Sequence, residues 1–308
     1  MTEDMLLRTA GQPTLLVRRR PARGRGPGRP VLYIHGATFP SALSVAYRFE
    51  GRSWMDDLAD RGLDVWAFDF PGYGGSDRPA VFDMPAEGGP PVGRATEAAE
   101  QIGRVVAHVA EVTGHPRVSL LAHSWGTLVA GLFAAEHPDR VDRLVMFGHV
   151  ARRDLPDLSP PDAEGRWRLV TVAAQLARFL RDVPAGHPPV LLDPELSAWA
   201  PAWLASDPSS AGRSPPSVKI PAGPSADMLA AWSGAPAYDP RRITVPTLIV
   251  RGAWDSVTTD ADARWLLNGL GGPAADVKVP AATHLMHLER GREGLFEAAG
   301  TFLAGCST

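Results

Sequence analysis

Ser124 stands in Ala122-His123-Ser124-Trp125-Gly126, directly after the apolar run Val118–Ala122 and just before a helical pattern over Leu128–His137. A serine on a sharp strand-to-helix turn has its hydroxyl pushed out of the sheet above the start of the helix. Such a turn needs small residues two positions before and after, because backbone and neighbouring strands crowd there. Ala122 and Gly126 meet that need. The motif alone arises by chance in many chains, and its place at a strand–helix junction is what gives it weight. A hydroxyl is a poor nucleophile at neutral pH and requires an adjacent base. His284, in the loop after the short strand pattern Asp276–Val279, is the candidate base. His287, three residues later, competes with it and is expected to face the following helix or a pocket rim.

The base must in turn be oriented by a carboxylate. Asp255 ends the segment Val250-Arg251-Gly252-Ala253-Trp254-Asp255, 29 residues before His284 and 131 after Ser124. Asp260 and Asp262 fall inside the next helical pattern, and Asp154, after the run Leu144–Phe147, is the alternative. An oxyanion would need two backbone donors. Trp125 at the helix start offers one and Ala37, in His35-Gly36-Ala37-Thr38, the other, with Gly36 letting the backbone pass close to the serine. His35 reads as a residue that holds this loop. Thr38, Phe39, His123, Trp199, Trp203, Met286 and His287 are the candidate pocket residues.

These groups need a scaffold that brings strand ends together. Met5–Thr9 and Thr14–Arg20, either side of Gly11-Gln12-Pro13, read as a hairpin. Val31–Ile34, Leu63–Phe70, Val118–Ala122, Leu144–Phe147 and Thr247–Val250 are short continuous apolar runs, as expected for strands buried on both faces. Helical patterns over Ser53–Arg61, Glu97–Thr113 and Leu128–His137 alternate with them, and a mostly parallel sheet with helices on both faces follows. The alternation breaks from Arg152 to Asp239. Trp167–Arg181 reads as a helix, and Ser206–Pro224, rich in proline and glycine, reads as an irregular, mobile loop. The chain resumes with a strand at Ile243–Val250, a helix at Asp260–Leu270 and a closing helix at Glu289–Phe302. The expected division is a core of 1–151 and 240–308 with an inserted lid over 152–239.

Taken together, His35-Gly36, Asp69–Ser76, the turn around Ser124, Gly252–Asp255 and His284 with Glu289 five residues later resemble the α/β-hydrolase superfamily over nearly the whole chain. The resemblance implies an eight-stranded, mostly parallel sheet, a helical lid, a Ser124–Asp255–His284 triad and no cofactor. Ala122 replaces the usual first glycine of the turn, and Thr283 the glycine that commonly precedes the histidine. Haloalkane dehalogenases and epoxide hydrolases of this fold carry an aspartate where Ser124 stands, so serine favours acyl transfer on an ester, lactone, thioester or amide.

Composition narrows the field further. With 44% hydrophobic and 21% charged residues, the chain can bury a sizeable core and is neither disordered nor fibrous. A formal net charge of −3 gives no reason to expect nucleic acid as a partner. The excess of Arg over Lys, with 31 Gly and 30 Pro, reads as coding bias. Cys306 is the single cysteine, so neither an internal disulfide nor a cysteine metal cluster is expected. An acidic opening and the absence of an 18-residue apolar run predict a cytoplasmic protein without membrane insertion. The expected ligand is a small molecule, and the sequence sets no oligomeric state. Trp167, Phe179, Trp199, Trp203 and Trp232 form either an aromatic pocket wall or the insertion's own core. A carboxylesterase ranks first. An aminopeptidase of proline-iminopeptidase type, with Glu164 or Glu195 binding an amine, comes second, and a biosynthetic thioesterase or cyclase and a binding protein without turnover are the other readings.

Overall fold

The apolar runs are continuous because each strand feeds two core layers. Val31, Tyr33, Leu121, Val145 and Phe147 join one layer; Leu32, Ile34, Leu120, Ala122, Leu144 and Met146 join the other. The computed structural model describes residues 2–24, 28–155, 165–188, 190 and 193–305, with backbone alone at 193–196.

In chain order the strands are β1 (Glu3–Leu7), β2 (Leu15–Arg20), β3 (Arg29–Ile34), β4 (Leu63–Phe68), β5 (Val118–His123), β6 (Val141–Phe147), β7 (Trp167–Thr171), β8 (Ser217–Pro221), β9 (Thr247–Gly252) and β10 (Ala274–Val279). The helices are α1 (Trp54–Asp60), α2 (Ala95–Thr113), α3 (Trp125–Glu136), α4 (Val172–Leu180), α5 (Asp193–Ala205), α6 (Gly223–Trp232), α7 (Asp260–Gly269) and α8 (Glu293–Ala304). Eight strands form one sheet in the order β1-β2-β4-β3-β5-β6-β9-β10. The pairs β1/β2 and β2/β4 are antiparallel and the others parallel. This is the expected eight-stranded, mostly parallel α/β architecture.

Helices α1 and α8 cover one face, with Met55, Leu58, Leu295 and Leu303 fully or almost fully buried. Helices α2 and α3 cover the other. Helix α3 is buried along nearly its whole length, which explains its Ala- and Gly-rich sequence: small residues let it lie close to the sheet. Helix α1 begins with a reciprocal capping box between Ser53 and Asp56, worth about 1 kcal/mol. Strands β7 and β8 pair antiparallel in a separate ribbon, in the segment between β6 and β9 that also carries α4, α5 and α6.

Three expectations are corrected here. Trp167–Arg181 is not one helix: its first five residues form β7, and Thr171 then caps α4 by accepting the Ala174 N–H (3.2 Å). Leu169 and Leu180, assigned to the apolar face of that helix, are about half exposed. The segment 206–224 is not wholly irregular. Its prolines sit where no backbone donor is missed, Pro221 ending β8 and Pro224 in the first turn of α6. The closing helix starts at Glu293, because the Glu289 carboxylate is turned back onto Thr283.

Candidate active site

The turn at Ser124 is built by crowding. Ser124 adopts φ 53° and ψ −128°, a conformation that costs a side-chain-bearing residue about 1–3 kcal/mol. Its surroundings hold it there. The Ser124 N–H donates to the Phe147 carbonyl (3.1 Å), and its carbonyl accepts the Thr127 N–H (2.8 Å) and hydroxyl (2.6 Å). A Cβ at Gly126 would lie 2.6 Å from the His35 carbonyl oxygen, and one at Gly36 would lie 3.1 Å from the Ser124 Cβ. Glycine is therefore the residue that fits at both positions. Ala122 sits in register between Ile34 and Met146.

The loop after β10 brings His284 over this turn. Its Nε2 lies 2.8 Å from Ser124 Oγ, and its Nδ1 lies 3.0 and 3.1 Å from the two Asp255 carboxylate oxygens. That network places the ring proton on Nδ1, donated to Asp255, and leaves Nε2 to accept the serine proton. All three side chains are buried. Gly148, at φ +57°, lies against the imidazole, where a Cβ would be 3.0 Å from the ring. Asp255 also accepts the N–H groups of Val257 (2.8 Å) and Thr258 (3.0 Å). Burial alone would raise its carboxyl, but the adjacent His284 and these hydrogen bonds outweigh it and hold Asp255 below the usual carboxylate range.

Asp154 is not brought into this group. It is exposed, bridges to Ser233 and pairs with Arg152 (2.8 Å). Asp262 caps α7 and pairs with Arg153, and Asp260 pairs with Lys278 and Arg251. The second candidate base, His287, is not within reach of Ser124 through any hydrogen bond among the described residues. It is buried, with neither ring nitrogen partnered, and stacks on Phe39 at 6.1 Å. Burial first, and His284 second, push it down to about 3. His123 donates from Nε2 to the His284 carbonyl (3.0 Å), and burial, then His287 and His284, hold its pKa well below the ordinary value. Both rings are therefore neutral at physiological pH.

The loop carrying Ala37 is pinned from several sides. His35 accepts the Phe70 N–H on Nε2 (3.0 Å) and donates from Nδ1 to the Gly36 carbonyl (2.7 Å). The Tyr73 hydroxyl donates to the Ala37 carbonyl (2.7 Å), and Asp69 accepts both the N–H (2.8 Å) and hydroxyl (2.6 Å) of Ser41. The Trp203 indole donates to the Thr38 carbonyl (3.1 Å) and the Trp199 indole to that of Leu43 (3.0 Å). The two tryptophans are thus buried anchors of the insertion on this loop. The Trp125 N–H opens α3 and has no intrahelical acceptor. Met286 is no pocket residue: it is fully buried with Leu295 and Leu303 in the layer under α1 and α8. A cavity of about 560 Å³ is lined by Phe70, Tyr73 and Trp125, with neither Ser124 nor His284 among its lining residues.

Sequence reasoning missed Asp227. From α6 it accepts the Trp125 indole N–H (2.9 Å), the Ala95 N–H (2.7 Å) and Arg94 Nε (2.5 Å), tying the insertion to the serine turn. No local signal marks it, since its partners lie about a hundred residues or more away. It also missed Tyr73 and Thr127, whose hydroxyls hold the Ala37 and Ser124 carbonyls respectively. Glu164 lies outside the described residues, as does the Glu195 side chain and Cys306.

Residues 29–291 match the family described as alpha/beta hydrolase fold. The chain belongs to that family. A haloalkane dehalogenase of Mycolicibacterium paratuberculosis (strain ATCC BAA-968 / K-10) is 28% identical over 280 residues, 86% of this chain and 81% of the relative. Among solved structures, a serine hydrolase involved in carbazole degradation superposes with a TM-score of 0.64 at 20% identity, covering 99% of both chains. The thioesterase domain of the curacin biosynthetic pathway superposes with a TM-score of 0.62 at 15% identity, covering 98% of this chain and 99% of that one. Among the described residues of this α/β-hydrolase, no group of three His, Cys, Asp or Glu could hold a metal ion, and no helix is long and apolar enough to cross a membrane.

Proposed function

We propose that this α/β-hydrolase is a serine hydrolase that cleaves a carboxylic ester, lactone or thioester of a small to medium, partly apolar substrate through an acyl-enzyme. The observation that carries the reading is the hydrogen-bonded line from Ser124 Oγ through His284 to Asp255. In this mechanism His284 Nε2 takes the Ser124 proton as Oγ attacks the acyl carbon. The backbone N–H groups of Ala37 and Trp125 stabilise the oxyanion, and His284 then protonates the leaving group. A water activated by the same histidine releases the acid. Asp255, buried and ionised, holds the imidazole in the tautomer this sequence requires. The segment 152–239 acts as the lid over this centre, anchored by Trp199 and Trp203.

Two observations weigh against other readings. Dehalogenation in this fold uses an aspartate at the nucleophile position, and here that residue is Ser124. An aminopeptidase needs an acidic anchor for the amine, whereas the charges the described insertion brings to bear on Tyr73 are those of arginines, Arg168 and Arg178. Hydrolysis of p-nitrophenyl esters from acetate to decanoate, with Ser124→Ala as control, tests the proposal. Turnover lost in the variant is expected, with the best chain length giving the pocket depth. Equal turnover by wild type and Ser124→Ala would refute it.

A further inference from the structure

Three polar side chains of the insertion have no hydrogen-bond partner among the described residues, one of them fully buried and two partly buried. On the β7–β8 ribbon, Arg168 lies opposite Ile220 and shares its face with Val170 and Val218, all three of these apolar residues being buried. Its Nε is buried and has no hydrogen-bond partner. In α4, Gln175 is fully buried, and neither its amide oxygen nor its nitrogen is partnered. Arg178 follows three residues later on the same side of the helix. Among the described residues Arg178 makes no hydrogen bond or ion pair. Other arginines of this region are engaged: Arg153 on Asp262, Arg213 on Asp207, and Arg166 on the carbonyls of Pro85, Glu87 and Gly88.

A partly buried cation with no hydrogen-bonded counter-ion among the described residues is an arrangement that folding disfavours. Burial, then the like charges of Arg168 and Arg181, push the Arg178 guanidinium down to about 10, so it stays charged at neutral pH. Asp182, whose carboxylate accepts the Ser256 N–H (3.3 Å), attracts Arg178 electrostatically without an ion-pair contact. The Arg168 and Arg178 guanidinium groups bear electrostatically on Tyr73, whose hydroxyl holds the Ala37 carbonyl, and Arg178 also bears on His123, the residue before Ser124. Phe179, next to Arg178, packs edge-on against Trp199 (5.1 Å), which packs edge-on against Phe39 in the Ala37 loop (5.4 Å).

We infer that Arg168, Gln175 and Arg178 form a carboxylate subsite facing the Ser124 centre, so that the natural substrate carries a carboxylate besides its scissile acyl bond. Planar guanidinium groups match a carboxylate with paired N–H donors, and the Gln175 amide adds a neutral donor. This inference rests on the serine-hydrolase reading for its chemistry, but binding can be measured without it.

The test uses full-length Ser124→Ala protein and calorimetric titration with monomethyl adipate, which carries one carboxylate, against dimethyl adipate, which carries none. The monoester is expected to bind at least tenfold more tightly. Arg178→Met and Arg168→Met, each in that background, are expected to abolish the preference, and Arg178→Lys to keep part of it. Equal affinity for the two ligands, or a preference that survives both methionine variants, would overturn the subsite. The catalytic reading fails separately, through Ser124-independent hydrolysis of p-nitrophenyl hexanoate by the wild-type chain.

Discussion

The pH dependence of stability should carry the signature of His287. This ring is 2% exposed, packs 4.5 Å from His123 and 5.3 Å from Phe147, and has no partner for either nitrogen. Burial, then His284, push its pKa down to about 3, against roughly 6.5 for a histidine in the unfolded chain. Between those values the folded ring stays neutral while the unfolded ring takes up a proton. Its contribution is therefore fully present above pH 6.5 and is lost as pH falls toward 3. At about 1.4 kcal/mol per pH unit, this residue alone removes about 2 kcal/mol between pH 8 and pH 5, and about 4 kcal/mol by pH 3. His287→Phe keeps an aromatic ring against Phe39 and cannot titrate. Urea unfolding followed by tryptophan fluorescence at pH 8 and pH 5 measures the difference for each protein, so any constant change in stability cancels. Wild type should lose about 2 kcal/mol more than His287→Phe. Equal losses would refute the reasoning, because they would mean that the folded ring is protonated as readily as the unfolded one.

Other substitutions probe the parts around the serine. Asp255→Asn should lower kcat on p-nitrophenyl esters by on the order of 10⁴ with the fold intact, since an amide cannot hold the same imidazole tautomer. A loss of tenfold or less would mean that another group orients His284. Gly126→Ala, placing a Cβ 2.6 Å from the His35 carbonyl oxygen, should cost about 1–3 kcal/mol in urea unfolding and lower kcat together; unchanged values for both would contradict the crowding account of the turn. Asp227→Ala strands the Trp125 indole and the Ala95 N–H and removes the ion pair with Arg94, and should cost about 3–5 kcal/mol in thermal or urea unfolding. A cost below about 1 kcal/mol would show that this carboxylate does not tie the insertion to the turn.

What the sequence made legible follows the range of the interaction. Strands such as β3, β5 and β6 announce themselves because a residue run buried on both faces must be apolar throughout. The convergence of Ser124, Asp255 and His284 is readable for a related reason: the first two follow such runs, His284 follows the edge strand β10, and parallel strands end on one side of the sheet. Strand β7 is hidden because Leu169, Val172, Leu176 and Phe179 are also spaced as a helix would space them. Only pairing with Ser217–Pro221, some fifty residues later, makes the first part extended. The β8 and α6 prolines misled in the same way, since an edge or first-turn proline differs from an interior one only by its place in the fold. Asp227 is a polar residue in a small helix until Trp125 and Ala95 arrive from far along the chain. That neither Arg168 nor Arg178 has a hydrogen-bonded counter-ion among the described residues has no local cue at all, because it is a property of what surrounds them.

The central claim is that Ser124 forms a covalent acyl-enzyme with His284 as its base. Rapid mixing of the wild-type chain with p-nitrophenyl acetate, quenched in acid and read by intact mass and peptide mapping, tests it directly. The account predicts a burst of p-nitrophenol and an acetyl group on the peptide carrying Ser124, with both lost in Ser124→Ala and the burst slowed by orders of magnitude in His284→Ala. Acetylation at another residue, or a burst of undiminished size in Ser124→Ala, would contradict it.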